Sequence, residues 1–172
     1  MHLDGARLFN ALVKTNTKAS EMGKNFDSIS LCFSKGLGIP LGSVLIGDSD
    51  FIHKARRVRK VLGGGMRQVG MIAAAGIYAL ENNIERLEID HYHALEIANA
   101  LINCSWVKSI MNVETNIVVA NLLDKYSNDQ FISKLKEKGI LAIPFGKGRV
   151  RFVTHLDIST NQVEKVKKSL VF

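Results

Sequence analysis

The period of hydrophobic positions changes several times along the chain, and each change marks an element. Met1 to Leu3 reads as the end of a buried strand. Asp4-Gly5-Ala6-Arg7 then leads straight into a helix with Leu8, Leu12 and Val13 on one face. Residues 17 to 24 predict a short polar helix or turn. Ile29, Leu31 and Phe33 alternate with Ser28, Ser30 and Cys32, the two-residue period of a strand with unlike faces. Ser43-Val44-Leu45-Ile46-Gly47 is a continuous apolar run instead, the pattern of a strand covered on both sides. Ser49 or Asp50 is placed to cap the helix that follows, whose stripe is Phe51, Ile52, Ala55, Val58 and Leu62.

Beyond the triple glycine 63 to 65, Ala73-Ala74-Ala75-Gly76 lies in a small-residue helix running to about Leu80. Apolar positions from Ile84 to Ile102, counting His91, recur at helical spacing, so His91 is read as a core or boundary histidine. The last third has a different rhythm. Residues 116 to 121, 140 to 143 and 150 to 154 read as strands, and Pro144-Phe145-Gly146-Lys147-Gly148 as a turn. Ser127 to Gln130 and Ser159 to Gln162 have capping-box spacing before helices lined by Phe131, Ile132 and Leu135, and by Val163, Val166 and Leu170. These patterns predict an α/β chain in two parts: residues 1–80, part of a larger sheet domain, and residues 81–172, a small α+β domain entered through a long connecting helix. A central strand that opens the chain without neighbours adds the expectation that a preceding segment of the sheet is absent.

Composition narrows the class. In 172 residues, 47% are hydrophobic and only 2 are proline, which excludes a disordered chain and allows a sizeable core. No apolar run approaches the roughly 20 residues of a membrane span, and no signal-peptide pattern opens the chain, so the expected location is cytoplasmic, with no membrane partner. Cys32 and Cys104 have neither disulfide nor metal spacing and read as small apolar side chains; no metal is expected. The net charge of +7 raises nucleic acid as a partner. Its one cluster, His53, Lys54, Arg56, Arg57, Arg59 and Lys60, has the spacing of a solvated helix face, so no nucleic acid is expected.

Candidate chemistry lies at strand ends. Lys35 stands between a strand and a turn with glycines at 36, 38 and 42, where the backbone approaches a bound group closely. A buried lysine of lowered pKa forms a Schiff base with an aldehyde. A carboxylate such as Asp4 keeps a pyridine nitrogen protonated, and an arginine such as Arg151 grips a carboxylate through two parallel hydrogen bonds. The trio suits a pyridoxal phosphate site.

Four ordered motifs then carry a resemblance: residues 2–10, His-Leu-Asp-Gly-Ala-Arg-Leu-Phe-Asn; Ser34-Lys35-Gly36-Leu37 with Pro40-Leu41-Gly42-Ser43; Leu62-Gly63-Gly64-Gly65-Met66-Arg67-Gln68; and Val150-Arg151-Phe152-Val153-Thr154-His155. Over nearly its whole length the chain resembles the C-terminal half of the low-specificity L-threonine aldolases. These are pyridoxal 5'-phosphate enzymes of the aspartate-aminotransferase-like, fold type I group. The resemblance implies the C-terminal part of the large domain, with a mixed, mostly parallel sheet, followed by the small domain. It implies cleavage of L-threonine or L-allo-threonine to glycine and acetaldehyde, and homotetramers with sites at subunit contacts. By the same resemblance Lys35 is the catalytic, cofactor-bearing lysine, Asp4 partners the pyridine nitrogen, Arg7 helps bind cofactor and substrate, Arg67 reaches a neighbouring subunit's phosphate, and Arg151 holds the substrate carboxylate. Since the family's N-terminal half has no counterpart, the isolated chain is expected to be inactive or nearly so. The alternatives are a fragment that pairs with an intact aldolase subunit or a separate N-terminal piece, and a nucleic-acid binder acting through residues 53 to 60.

Overall fold

A computed structural model describes residues 1–170 of the chain. They fall into two compact units that divide between Leu87 and Glu88.

The first unit holds β1 (His2–Gly5), α1 (Leu8–Thr15), α2 (Ala19–Gly23), β2 (Ser28–Cys32), β3 (Ser43–Gly47), α3 (Ser49–Val61) and α4 (Gly70–Asn82). Its sheet has the order β1-β2-β3. β1 runs parallel to β2, with Asp4 opposite Ser30, and β3 runs antiparallel, with Ile46 opposite Ile29. The alternation read in β2 is what buries this unit: Leu31 and Phe33 pack with Leu37, Ile39 and Ala79. Gly5 is required where β1 leaves the sheet, because a Cβ there would lie 2.8 Å from the Ser30 carbonyl oxygen.

Three expectations change here. The helix cap is Asp48, which accepts a hydrogen bond from the Phe51 N–H at 2.8 Å, and not Ser49 or Asp50. The apolar run of β3 is not covered on both faces; it is an edge strand whose Val44, Leu45 and Ile46 are 38–48% exposed. α3 buries none of its stripe, and Phe51 and Val58 are as open as the basic positions on its outer face. Local pattern announces an apolar face correctly, but whether a face is covered depends on what packs against it.

The second unit begins within α5 (Leu87–Leu101) and continues through β4 (Val107–Ile110), β5 (Ile117–Leu122), α6 (Asn128–Glu137), β6 (Ile143–Pro144), β7 (Arg149–Val153) and α7 (Thr160–Ser169). The sheet order is β4-β5-β7-β6, antiparallel throughout. Val118, Ala120 and Leu122 of β5 and Val150 and Phe152 of β7 point to one face. There they meet Ala94, Ile97 and Leu101 of α5, Phe131 and Leu135 of α6, and Val163 of α7. Both capping boxes form: Ser127 and Gln130 exchange bonds of 2.9 and 3.2 Å, and Ser159 and Gln162 bonds of 2.7 and 3.3 Å. β4 has no counterpart in the sequence reading, since Val-Lys-Ser-Ile is too short to show a period. His91 is buried, as its place in the helical pattern implies, and burial pushes the Cys104 thiol up.

Lys167 of α7 joins two carboxylates, Glu96 of α5 at 2.6 Å and Glu164 at 2.8 Å. Its ammonium pKa rises through those two hydrogen bonds, and that of Glu164 falls through its bond to Lys167. A carboxyl group lowered in the folded state adds stability above its unfolded value, near 4.5, and loses it as pH falls further. The raised lysine keeps its contribution until strongly alkaline pH. Circular dichroism followed during acid titration is therefore expected to show a flatter stability loss below pH 4.5 in Lys167→Met than in the parent chain; equal slopes would show that the triad does not contribute.

Candidate active site

The lysine loop is fixed by its own backbone. The Phe33 N–H donates to the Gly42 carbonyl at 3.0 Å, so strand and return meet, and the Gly38 N–H donates to the Lys35 carbonyl at 3.0 Å, closing a turn with Gly38 at φ 75°. Asn83 clamps the turn from α4 by donating from Nδ2 to the Leu37 carbonyl at 2.8 Å. Gly36 lies against α1: a Cβ there would come within 2.8 Å of Asn10 Oδ1 and 3.1 Å of Leu87 Cδ2. Asn10, which is 3% exposed, thereby links the loop to the helix that follows Asp4 and Arg7. Nothing local in the sequence marks this link, because a buried asparagine has no period of its own.

Topology brings Asp4 and Lys35 to the same end of the sheet. β1 and β2 are parallel neighbours about 4.8 Å apart, and Asp4 stands at the carboxyl end of one and Lys35 just past the carboxyl end of the other. In open α/β sheets that edge is where ligands bind. Both side chains are exposed, so the lysine is not enclosed as the sequence chemistry supposed. Asp4 Oδ1 accepts from the Ala6 N–H at 3.2 Å, which sets the turn into α1. Arg7 occupies the N-cap position of α1 and is half-buried. Arg67 lies on the exposed loop between α3 and α4, after Gly63 at φ 81°.

Arg151 belongs to the second unit, in the middle of β7 and not at a strand end. It is opposite Val119 of β5 and Ile143 of β6. Its Nε is buried without a hydrogen-bond partner, and its guanidinium lies 5.4 Å from the Phe145 ring centroid. Among the described residues no group of three or more His, Cys, Asp or Glu could hold a metal ion, and no helix is long and apolar enough to cross a membrane.

A sheet edge with a carboxylate near the end of one strand and a lysine just past the end of its parallel neighbour defines a class that comparison with known proteins makes specific. The family model for beta-eliminating lyases matches residues 1–124, and the chain belongs to that family. It is 40% identical over 166 residues to low-specificity L-threonine aldolase 1 of Arabidopsis thaliana, covering 95% of this chain and 46% of that protein. With the low specificity L-threonine aldolase of Escherichia coli strain K12 the identity is 42% over 169 residues, covering 96% of this chain and 48% of the relative. Among solved structures, a candidate L-allo-threonine aldolase from Listeria monocytogenes superposes with a TM-score of 0.75 at 25% identity, over 98% of this chain and 50% of that one. The chain thus spans about half the length of the curated relatives it matches, and its fold is that of the fold type I pyridoxal phosphate enzymes.

Proposed function

We propose that this chain carries the lysine half of a pyridoxal-phosphate-dependent threonine aldolase, cleaving L-threonine or L-allo-threonine to glycine and acetaldehyde when the rest of the site is present. The observation that carries this reading is the delivery of Asp4 and Lys35 to one carboxyl edge by adjacent parallel strands. The residues fit the cofactor: an exposed primary amine and an exposed carboxylate lie at the same end of two adjacent parallel strands, and Gly36 leaves the loop no bulk that would hold it away from α1. When bound, pyridoxal phosphate supplies an electron sink for the pair released as the Cα–Cβ bond breaks.

Lys35 would hold the cofactor through its aldehyde carbon, and Asp4 would keep a proton on the ring nitrogen. Arg7 would contribute to cofactor and substrate binding, Arg67 would reach the phosphate in a neighbouring subunit's site, and Arg151 would bind the amino acid's carboxylate. A cytoplasmic homotetramer accords with this reading. The domain assignment proposed is a large-domain part at residues 1–80 and a small domain at 81–172.

Alone, the 172-residue chain is expected to turn over little substrate, because an exposed Lys35 and Asp4 do not give the enclosure on which positioning depends. The test is acetaldehyde release from L-allo-threonine by the purified chain with pyridoxal phosphate, before and after addition of the N-terminal half of a relative. Activity appearing on mixing supports the reading; no activity in any combination, or release unchanged by Lys35→Ala, opposes it. The exposed Val44, Leu45 and Ile46 favour a second reading, a non-catalytic chain that pairs with another aldolase subunit, which predicts a stable complex that stays inert.

A further inference from the structure

The outer face of β7 carries more positive charge than one substrate carboxylate requires. The two-residue period that sends Val150 and Phe152 into the core puts Arg149 and Arg151 together on the opposite face, both half-buried. The 144–148 turn folds back over them. The Phe145 N–H donates to the Arg149 carbonyl at 2.8 Å, and Asn128 Nδ2 donates to the Gly146 carbonyl at 2.7 Å, anchoring the turn to α6. One aromatic ring then serves two cations: the Phe145 centroid is 5.7 Å from Arg149 Cζ and 5.4 Å from Arg151 Cζ, both within cation–π range. Gly146 makes room for this, since a Cβ there would lie 3.1 Å from Arg149 Nη2. Among the described residues neither guanidinium has a carboxylate partner, and Arg151 Nε is buried with no acceptor. Two neighbouring guanidinium groups held by a ring and left without counter-ions call for an anion with two charged ends.

We propose that Arg149 and Arg151, braced by Phe145, form a site for two carboxylates, so that this chain prefers amino acids carrying a second carboxylate on the side chain. The proposal rests on the role given above to Arg151, and adds Arg149 as the residue that sets specificity. Arg151 takes the carboxylate common to all amino acids, and Arg149 takes the distal one. Arg149 lies beside the 144–148 turn, so the distal group would lie at that end of β7.

Calorimetric titration of the full chain with glutarate and with butyrate, which differ by one carboxylate, tests this. A charge-assisted bidentate bond contributes enough for about a tenfold tighter binding of glutarate. Arg149→Gln is expected to bring that ratio near one, Arg149→Lys to restore part of it, and Arg151→Gln to weaken both acids. Lys108→Gln, which removes an exposed charge elsewhere on the same unit, is expected to keep the ratio. If Arg149→Gln retains the preference while Arg151→Gln weakens both acids, this inference fails and the role of Arg151 survives. If Arg151→Gln changes neither affinity, the carboxylate role of Arg151 fails as well. A parent chain that does not bind glutarate, or a Lys108→Gln variant that loses the preference, also overturns the two-carboxylate site.

Discussion

Lys35→Ala is expected to abolish the long-wavelength absorbance that pyridoxal phosphate gains on covalent binding to the chain, and with it any turnover the reconstituted protein shows. The effect is on chemistry alone. Lys35 is exposed and its loop is held by backbone bonds and by Asn83, so the substitution should change stability by no more than about 0.5 kcal/mol. With 15 lysines in the sequence, reaction at other amines needs a control. Lys54→Ala, on the exposed face of α3, should leave the band in place. Persistence of the same band in Lys35→Ala would mean that another amine holds the cofactor.

Phe131→Ala should cost the second unit about 3–5 kcal/mol, the usual range for deleting a buried phenyl ring. Phe131 is fully buried among Leu101, Leu135, Val150 and Phe152, where β5, β7 and α5 close on α6, and surrounding side chains from several elements cannot all collapse into the space. Domain stabilities are commonly about 5–15 kcal/mol, so a large fraction would be lost. The single tryptophan reports this unit specifically. Trp106 stacks on Tyr126 with centroids 3.7 Å apart and lies 6.0 Å from the Phe131 ring, so its fluorescence in a urea titration follows unfolding of this core. A midpoint shift equivalent to less than about 1 kcal/mol would show that Phe131 does not anchor the core as its burial indicates.

Each element that could be read in advance carried its own local signal. The capping boxes at Ser127 and Ser159 form because a serine and a glutamine three residues apart satisfy two orphan N–H groups whatever else the chain does. β2 alternates because its two faces differ. The lysine loop is legible because glycines 38 and 42 adopt positive φ, where other residues are strained. β4 and the contact of Asn10 with Gly36 were not legible, since a four-residue strand has no measurable period and a buried asparagine has no local signature. The same limit applies to β3: its apolar run states that something should cover it, but not that it forms an edge.

By itself the sequence determined an α/β chain with a marked lysine loop, an aspartate at a strand end, an arginine on a later strand, and a resemblance that gave each a role. Only the tertiary structure decided that β1 and β2 are parallel neighbours, which is what turns residues 31 positions apart into a shared edge. It also decided that Arg149 and Arg151 share one ring, because the turn from 144 to 148 brings Phe145 back across β7. Spacing along a chain fixes which face a residue takes; strand order and turn closure fix what that face meets.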